Sequence, residues 1–236
     1  MDFERTLAGA KACPNCGTLP ASPGYCVQCG QDNRRERLRL DDIARDALAW
    51  FTDLDRPFLR TLTSLFPHCG EMASDFVAGR RARFVGPVRL FLALLLILLL
   101  GQDLMSDHAP GSARWLPLAL LLYVLPLALV FRLAFFGTRR TLAEVAVFVL
   151  YAISGLLVMW MTIGLSIVIG AGFGLSWGTF LWVLGTTFVL GALYLGASTK
   201  HFFHSNILYA LLTATIVALL MGAGFGTLYL LVPSLG

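Results

Sequence analysis

"GRRARFVGPVRLFLALLLILLLG", residues 79–101, packs three arginines into four residues, adds a proline and a fourth arginine, and ends in an apolar run without a charge from residue 90 to 101. Whether that run crosses a membrane decides the fold. A transmembrane helix needs about 20 apolar residues, so this one spans only if Arg89 snorkels back to the surface and Leu104 and Met105 extend the far end. Working outward, candidate spans fall at about 86–105, 115–136, 142–169, 176–198 and 207–232. With five crossings, Arg80, Arg81, Arg83, Arg89, Arg132, Arg139, Arg140 and Lys200 share one side, and Arg114 stands alone on the other. With four, the residue 80–89 cluster would lie opposite Arg139 and Arg140. Basic residues collect on the cytoplasmic side of a membrane, so the charges select five spans, an N-terminus inside and a C-terminus outside.

Composition agrees with a membrane chain. Of 236 residues, 57% are hydrophobic and only 14% charged, against about a quarter charged in globular domains. Beyond Arg89 the only acids are Asp103, Asp107 and Glu144. None of the last four spans carries an ionisable group clearly at its middle, which argues against an ion-coupled transporter or proton pump. The net charge of +4 comes mostly from arginines near residue 80. That arrangement suits anionic headgroups better than a nucleic-acid groove, and leaves nucleic acid open as a less favoured partner. The opening "MDFERTLAGAKA" has neither an apolar core nor a small-residue cleavage site, so no secretory signal is expected and the front should stay in the cytosol.

That front holds "CPNCGTLPASPGYCVQCGQ", residues 13–31, a pair of Cys-x-x-Cys turns. Each turn sets two thiolates on one side of a tight loop, and two turns supply the tetrahedron that zinc takes. Cys13, Cys16, Cys26 and Cys29 are therefore the expected ligands of one structural Zn2+; unpaired thiols or two disulfides are the alternative. Four cysteines close the coordination shell and leave no position for a water, so catalysis at such a zinc is not expected. Between ribbon and membrane, Leu40, Ile43, Ala44, Ala47, Leu48 and Phe51 recur at helical spacing opposite Asp41, Asp42, Arg45 and Asp46, the pattern of an amphipathic helix. A second helix is expected from an Asp55 cap and Pro57 to its end at Pro67 and Gly70. A third should run over about 71–78 and stop at Gly79. The organisation expected is a zinc ribbon at 1–35, a helical connector at the membrane surface at 36–85, and a transmembrane domain at 86–236, an all-α polytopic fold.

"CPNCG", "YCVQCGQ", "RLRLDDIARDAL", "FTDLDRPFLRTLTSLF" and "FVAGRRARFVGP" together resemble an uncharacterised bacterial membrane family described only as a domain of unknown function. The resemblance implies zinc at the four cysteines and a bacterial inner membrane, with Gly79, Arg80, Arg81 and Pro87 matching the family's junction motif. The family usually has Pro-Gly where this chain has "PHCG", so Cys69 is a departure, not a fifth ligand. The family has no established activity to lend.

Other groupings have plain readings beside sharper ones. His201 and His204 stand three apart at the end of the fourth span, where they could share a helix face and a metal; as interfacial side chains beside Lys200 they need neither. Glu144 could relay protons, but with Thr141 it forms a capping box. "GAGFG" occurs at 170–174 and 222–226 without the strand and downstream acid of a dinucleotide fingerprint, and fits close helix packing. Arg80, Arg81, Arg83 and Arg89 suit anionic lipid headgroups or, more sharply, one phosphate site. No nucleophile elbow, Walker loop or HExxH is present. The function expected is therefore docking: a cytosolic ribbon that binds a protein partner close to the membrane, not an enzyme. The alternative is a transporter or lipid-handling enzyme working through the arginines and His201.

Overall fold

Proline opens the first two helices, where its missing N–H costs nothing and its fixed φ favours the turn. The computed structural model describes residues 12–18, 25–31, 57–104, 116–172, 177–217 and 219. Six helices follow: α1 Pro57–Val77, α2 Pro87–Leu104, α3 Leu116–Ala134, α4 Leu142–Gly172, α5 Trp177–Phe203 and α6 Ile207–Val217. Among the described residues there is no strand beyond an isolated bridge residue at Tyr25. The expected connector helix near 40–51, the Asp55 cap, Arg114 and the second GAGFG lie outside the described residues.

Local signals end these helices. At the C-terminus of α1, Gly79 takes φ 96°, its N–H donates to the Phe76 carbonyl (3.2 Å) and that of Arg80 to the Asp75 carbonyl (2.9 Å), a Schellman pair around a left-handed glycine. The capping box opens α4 as expected: the Glu144 N–H donates to Thr141 Oγ1 and the Thr141 N–H to Glu144 Oε2, both at 3.3 Å. Asn206 caps α6, its Oδ1 accepting from the Leu208 N–H at 3.2 Å.

One expectation is met and one spacing is not. Pro67 interrupts the helix as expected: His68, at φ −132°, ψ 25°, is not helical and divides α1 at a kink into two helical stretches, the second running on to Val77. Proline removes one hydrogen bond and crowds the preceding turn, but the residues beyond it are buried and packing restores the helix. Gly70 serves that packing. A side chain there would run into the Ser198 carbonyl and the His201 Cβ, so α1 and α5 touch at this point. The shared face that spacing allowed His201 and His204 is not formed. Helix α5 ends at Phe203, and His204 is the left-handed residue beyond it (φ 50°), so the two imidazoles do not share a helix face.

The core forms around α4, which packs against α1, α2, α3 and α5. Residues 145–153 are buried without interruption, as expected of a helix apolar on every side. Phe131, Phe135, Phe148, Phe202 and Phe203 stack or meet edge to face where α3, α4 and α5 converge. At the same end Tyr209 Oη donates to the Ala134 carbonyl (2.6 Å), and Arg140 lies 4.8 Å from the Phe202 ring centre. By length and composition, Leu142–Ile163 is the one described stretch long and apolar enough to cross a membrane; Pro87–Gly101, Leu120–Ala134 and Ile207–Val217 are shorter apolar helices. Helix length alone thus supports one crossing, not the expected five.

Candidate metal centre

The two knuckles have the same backbone design. In the first, the Gly17 N–H donates to the Cys13 carbonyl (2.8 Å) and the Cys13 N–H to the Thr18 carbonyl (3.0 Å); in the second, Gly30 donates to Cys26 (2.8 Å) and Cys26 to Gln31 (2.7 Å). Each loop closes through a glycine with positive φ, 75° at Gly17 and 71° at Gly30, a conformation that only glycine adopts cheaply. Nothing lies within 4 Å of where a Cβ would stand, so the requirement is conformational and not spatial.

This geometry brings the sulfurs together. Cys13 and Cys29 Sγ lie 3.7 Å apart, Cys16 and Cys26 Sγ 3.6 Å apart, and all four ligand atoms fall within 4.8 Å of one another. A tetrahedron with metal–sulfur bonds of ~2.3 Å has edges of ~3.8 Å, so the quartet could hold one metal ion. Cys13 and Cys26 are buried, Cys29 half-buried and Cys16 exposed. Hydrogen bonds from the side chain and backbone of Thr18 hold the Cys16 thiol down to about 6, whereas lost hydration pushes Cys29 up to about 11. A metal that takes four thiolates must displace their protons, so acid opposes its binding. Thr18 Oγ1 also lies 3.0 Å from Gln28 Oε1, so its one proton is shared between the Cys16 sulfur and the other knuckle.

Cys69 takes no part. It is buried on α1, with Tyr194 and Ser198 as hydrogen-bonding neighbours, and burial raises its thiol to about 11. The arginines expected to act together are separately engaged. Arg80 pairs with Asp75, Arg81 lies 5.7 Å from the Phe76 ring centre, and Arg83 lies 5.7 Å from that of Phe84, while Arg89 sits on the first turn of α2. His201 meets Glu71 instead of His204: its Nδ1 is 3.6 Å from one carboxylate oxygen, and His68 Nδ1 is 3.4 Å from the other.

Sequence reasoning missed Gln31. It is 3% exposed, and its Oε1 accepts from the backbone amides of Arg81 (3.1 Å) and Ala82 (2.9 Å), seating the second knuckle on the loop between α1 and α2. Pro14 of the first knuckle reaches the same loop, 3.7 Å from where a Gly79 Cβ would stand. Only its place beside the final Gly30 marked it in the sequence.

The model of a family described as "Protein of unknown function (DUF3667)" matches residues 55–99, which is α1, the loop that receives the ribbon, and most of α2. No curated protein and no solved structure matches the chain.

Proposed function

We propose that this is a multi-pass membrane protein whose zinc ribbon is a docking module held at the cytosolic surface, with five helices crossing a bacterial inner membrane. The observation that carries the membrane reading is the apolar surface of the helices. On α3, Leu122, Leu125, Leu129 and Leu133, with Phe136 in the turn just beyond, form an exposed stripe opposite buried Val124, Ala128 and Phe131. Trp182, Val189 and Leu193 do the same on α5, and Leu208, Leu212 and Ile216 on α6. Water-soluble monomers rarely leave contiguous apolar surface on this scale, whereas helices apolar on both faces suit lipid. The exposed hydroxyls agree: Thr162 donates to the carbonyls of Val158 and Met159, and Thr186 to those of Trp182 and Val183, which satisfies them without water.

Zinc is the metal we assign, because four thiolates in two Cys-x-x-Cys turns are its usual structural shell. Engagement of Arg80 with Asp75 and of Arg81 with Phe76 favours docking over a transporter or lipid-handling enzyme that would work through those two arginines. Anionic lipid remains the expected contact of Arg83 and Arg89. Reporter fusions at Asp32, at Gly111 and after Gly236 test the topology: inside, outside, outside is expected, and an inside signal at Gly111 removes the first crossing. Affinity capture from native membranes, with the intact chain and one lacking residues 1–35, tests docking. Protein partners lost with the ribbon support it, and identical partners from both chains defeat it.

A further inference from the structure

The loop between α1 and α2 is held from two sides. On the body side, the Val85 N–H donates to Thr61 Oγ1 (3.0 Å) and the Val85 carbonyl accepts from Tyr151 Oη (2.7 Å); Thr61 and Tyr151 are both fully buried. On the ribbon side, Gln31 Oε1 takes the amides of Arg81 and Ala82, the first shared with the Gly79 carbonyl. Gln31 is also part of the second knuckle, because its own carbonyl accepts from the Cys26 N–H at 2.7 Å. One residue thus closes a metal-binding turn with its backbone and holds the arginine-bearing loop with its side chain.

The two sides differ in what fixes them. Thr61 and Tyr151 are set by helices packed into the core, whatever the state of the metal. Gln31 is set by a knuckle of a few residues, too small to bury an apolar core, whose geometry depends on four sulfurs meeting at one point. We infer that the metal quartet is a clamp on this loop: metal binding fixes the knuckles, the knuckles fix Gln31 and Pro14, and these fix residues 79–82. Metal loading then sets how firmly Arg80 and Arg83, both exposed, are presented at the surface. The inference rests on the quartet holding a metal, and goes beyond a ribbon that serves only outside partners.

The Arg81 and Ala82 amides report the clamp directly. Hydrogen–deuterium exchange on the full chain in lipid nanodiscs would follow peptides covering 79–86, with a peptide from the middle of α4 as control and elemental analysis of the same samples. Wild type loaded with zinc should exchange slowly across 80–83. Chelation, or Gln31→Ala with zinc still bound, should each speed that exchange by about tenfold, the loss expected when one acceptor of two amides is removed. Chelating the Gln31→Ala chain should add little, because both changes release the same contact, and α4 should be unaffected throughout. A wild type that takes up no metal overturns the metal reading itself. If metal binds but its removal leaves the loop exchanging at the loaded rate, or a loaded Gln31→Ala chain is as protected as wild type, the clamp is wrong while the metal reading stands. If Gln31→Ala fails to hold zinc, the chelation of wild type decides alone.

Discussion

In the knuckles, two described segments of seven residues each hold their shape with four backbone hydrogen bonds and four converging sulfurs. In α4, nine consecutive residues from 145 to 153 are buried among four other helices, and one hydroxyl there, that of Tyr151, reaches out to the Val85 carbonyl. The first region is one whose four sulfurs could hold a metal ion; the second needs only the exclusion of solvent from its side chains. Both meet at the loop of residues 79–86, so this loop carries the consequences of damage to either. A change in the ribbon should be felt as metal and loop order, and a change in the body as stability.

The largest expected effect is on the ribbon. Structural zinc in small four-ligand folds binds with an apparent free energy on the order of 10–16 kcal/mol at neutral pH, so replacing Cys13 and Cys29 with serine removes what holds both knuckles. Elemental analysis should fall from one zinc per chain to none. The helical circular dichroism signal should stay close to wild type, because the core around α4 borrows nothing from the sulfurs. A large loss of helix would show that the ribbon supports the body and that the division drawn above is false.

Next comes Tyr151→Phe, which keeps the ring and its edge-to-face contact with Phe76 at 6.0 Å but leaves the Val85 carbonyl without this donor. An unsatisfied buried acceptor costs about 1–3 kcal/mol, so the thermal midpoint in detergent should drop while zinc content stays at one per chain. An unchanged midpoint would mean that another donor replaces the hydroxyl. Smaller again is Thr141→Ala. It removes half of an exposed capping box, and such substitutions cost about 0.5–2 kcal/mol; exposure puts this one at the low end. The same melting measurement reads it, and a cost as large as that of Tyr151→Phe would mean that Thr141 does more than cap.

What was legible in the sequence follows the same division. The cysteine quartet, the left-handed Gly79 and the capping box at 141–144 each depend on residues a few positions apart, so spacing alone revealed them. Gln31 could not be read in this way, because the amides it receives lie 50 residues further along the chain and meet it only once the ribbon folds onto α1. Pro67 and Gly70 marked the break at His68 correctly, but a second role of Gly70 was hidden: only the approach of Ser198 and His201 on α5 shows why a side chain is excluded there. For His201 spacing offered either a place beside His204 or an interfacial position beside Lys200, and the fold sets it 3.6 Å from Glu71. Stripes of exposed leucine on α3 were equally invisible, since an all-apolar helix looks the same on each face until its neighbours cover one of them.

The smallest expected effect tests the boundary between the two regions most sharply. Cys69 is the one cysteine outside the knuckles, and a sequence search for ligands would count it as a fifth. It sits on α1, 1% exposed, outside the group of four cysteines whose sulfurs lie within 4.8 Å of one another. Serine there has a similar shape and keeps Tyr194 and Ser198 in reach as hydrogen-bonding neighbours. Cys69→Ser should therefore leave one zinc per chain, bound as tightly as in wild type when challenged with a chelator, and should shift the thermal midpoint by less than Tyr151→Phe does. Zinc lost from this variant at chelator concentrations that wild type resists would place a body residue in the metal site, and the separation of ribbon from helices would have to be abandoned.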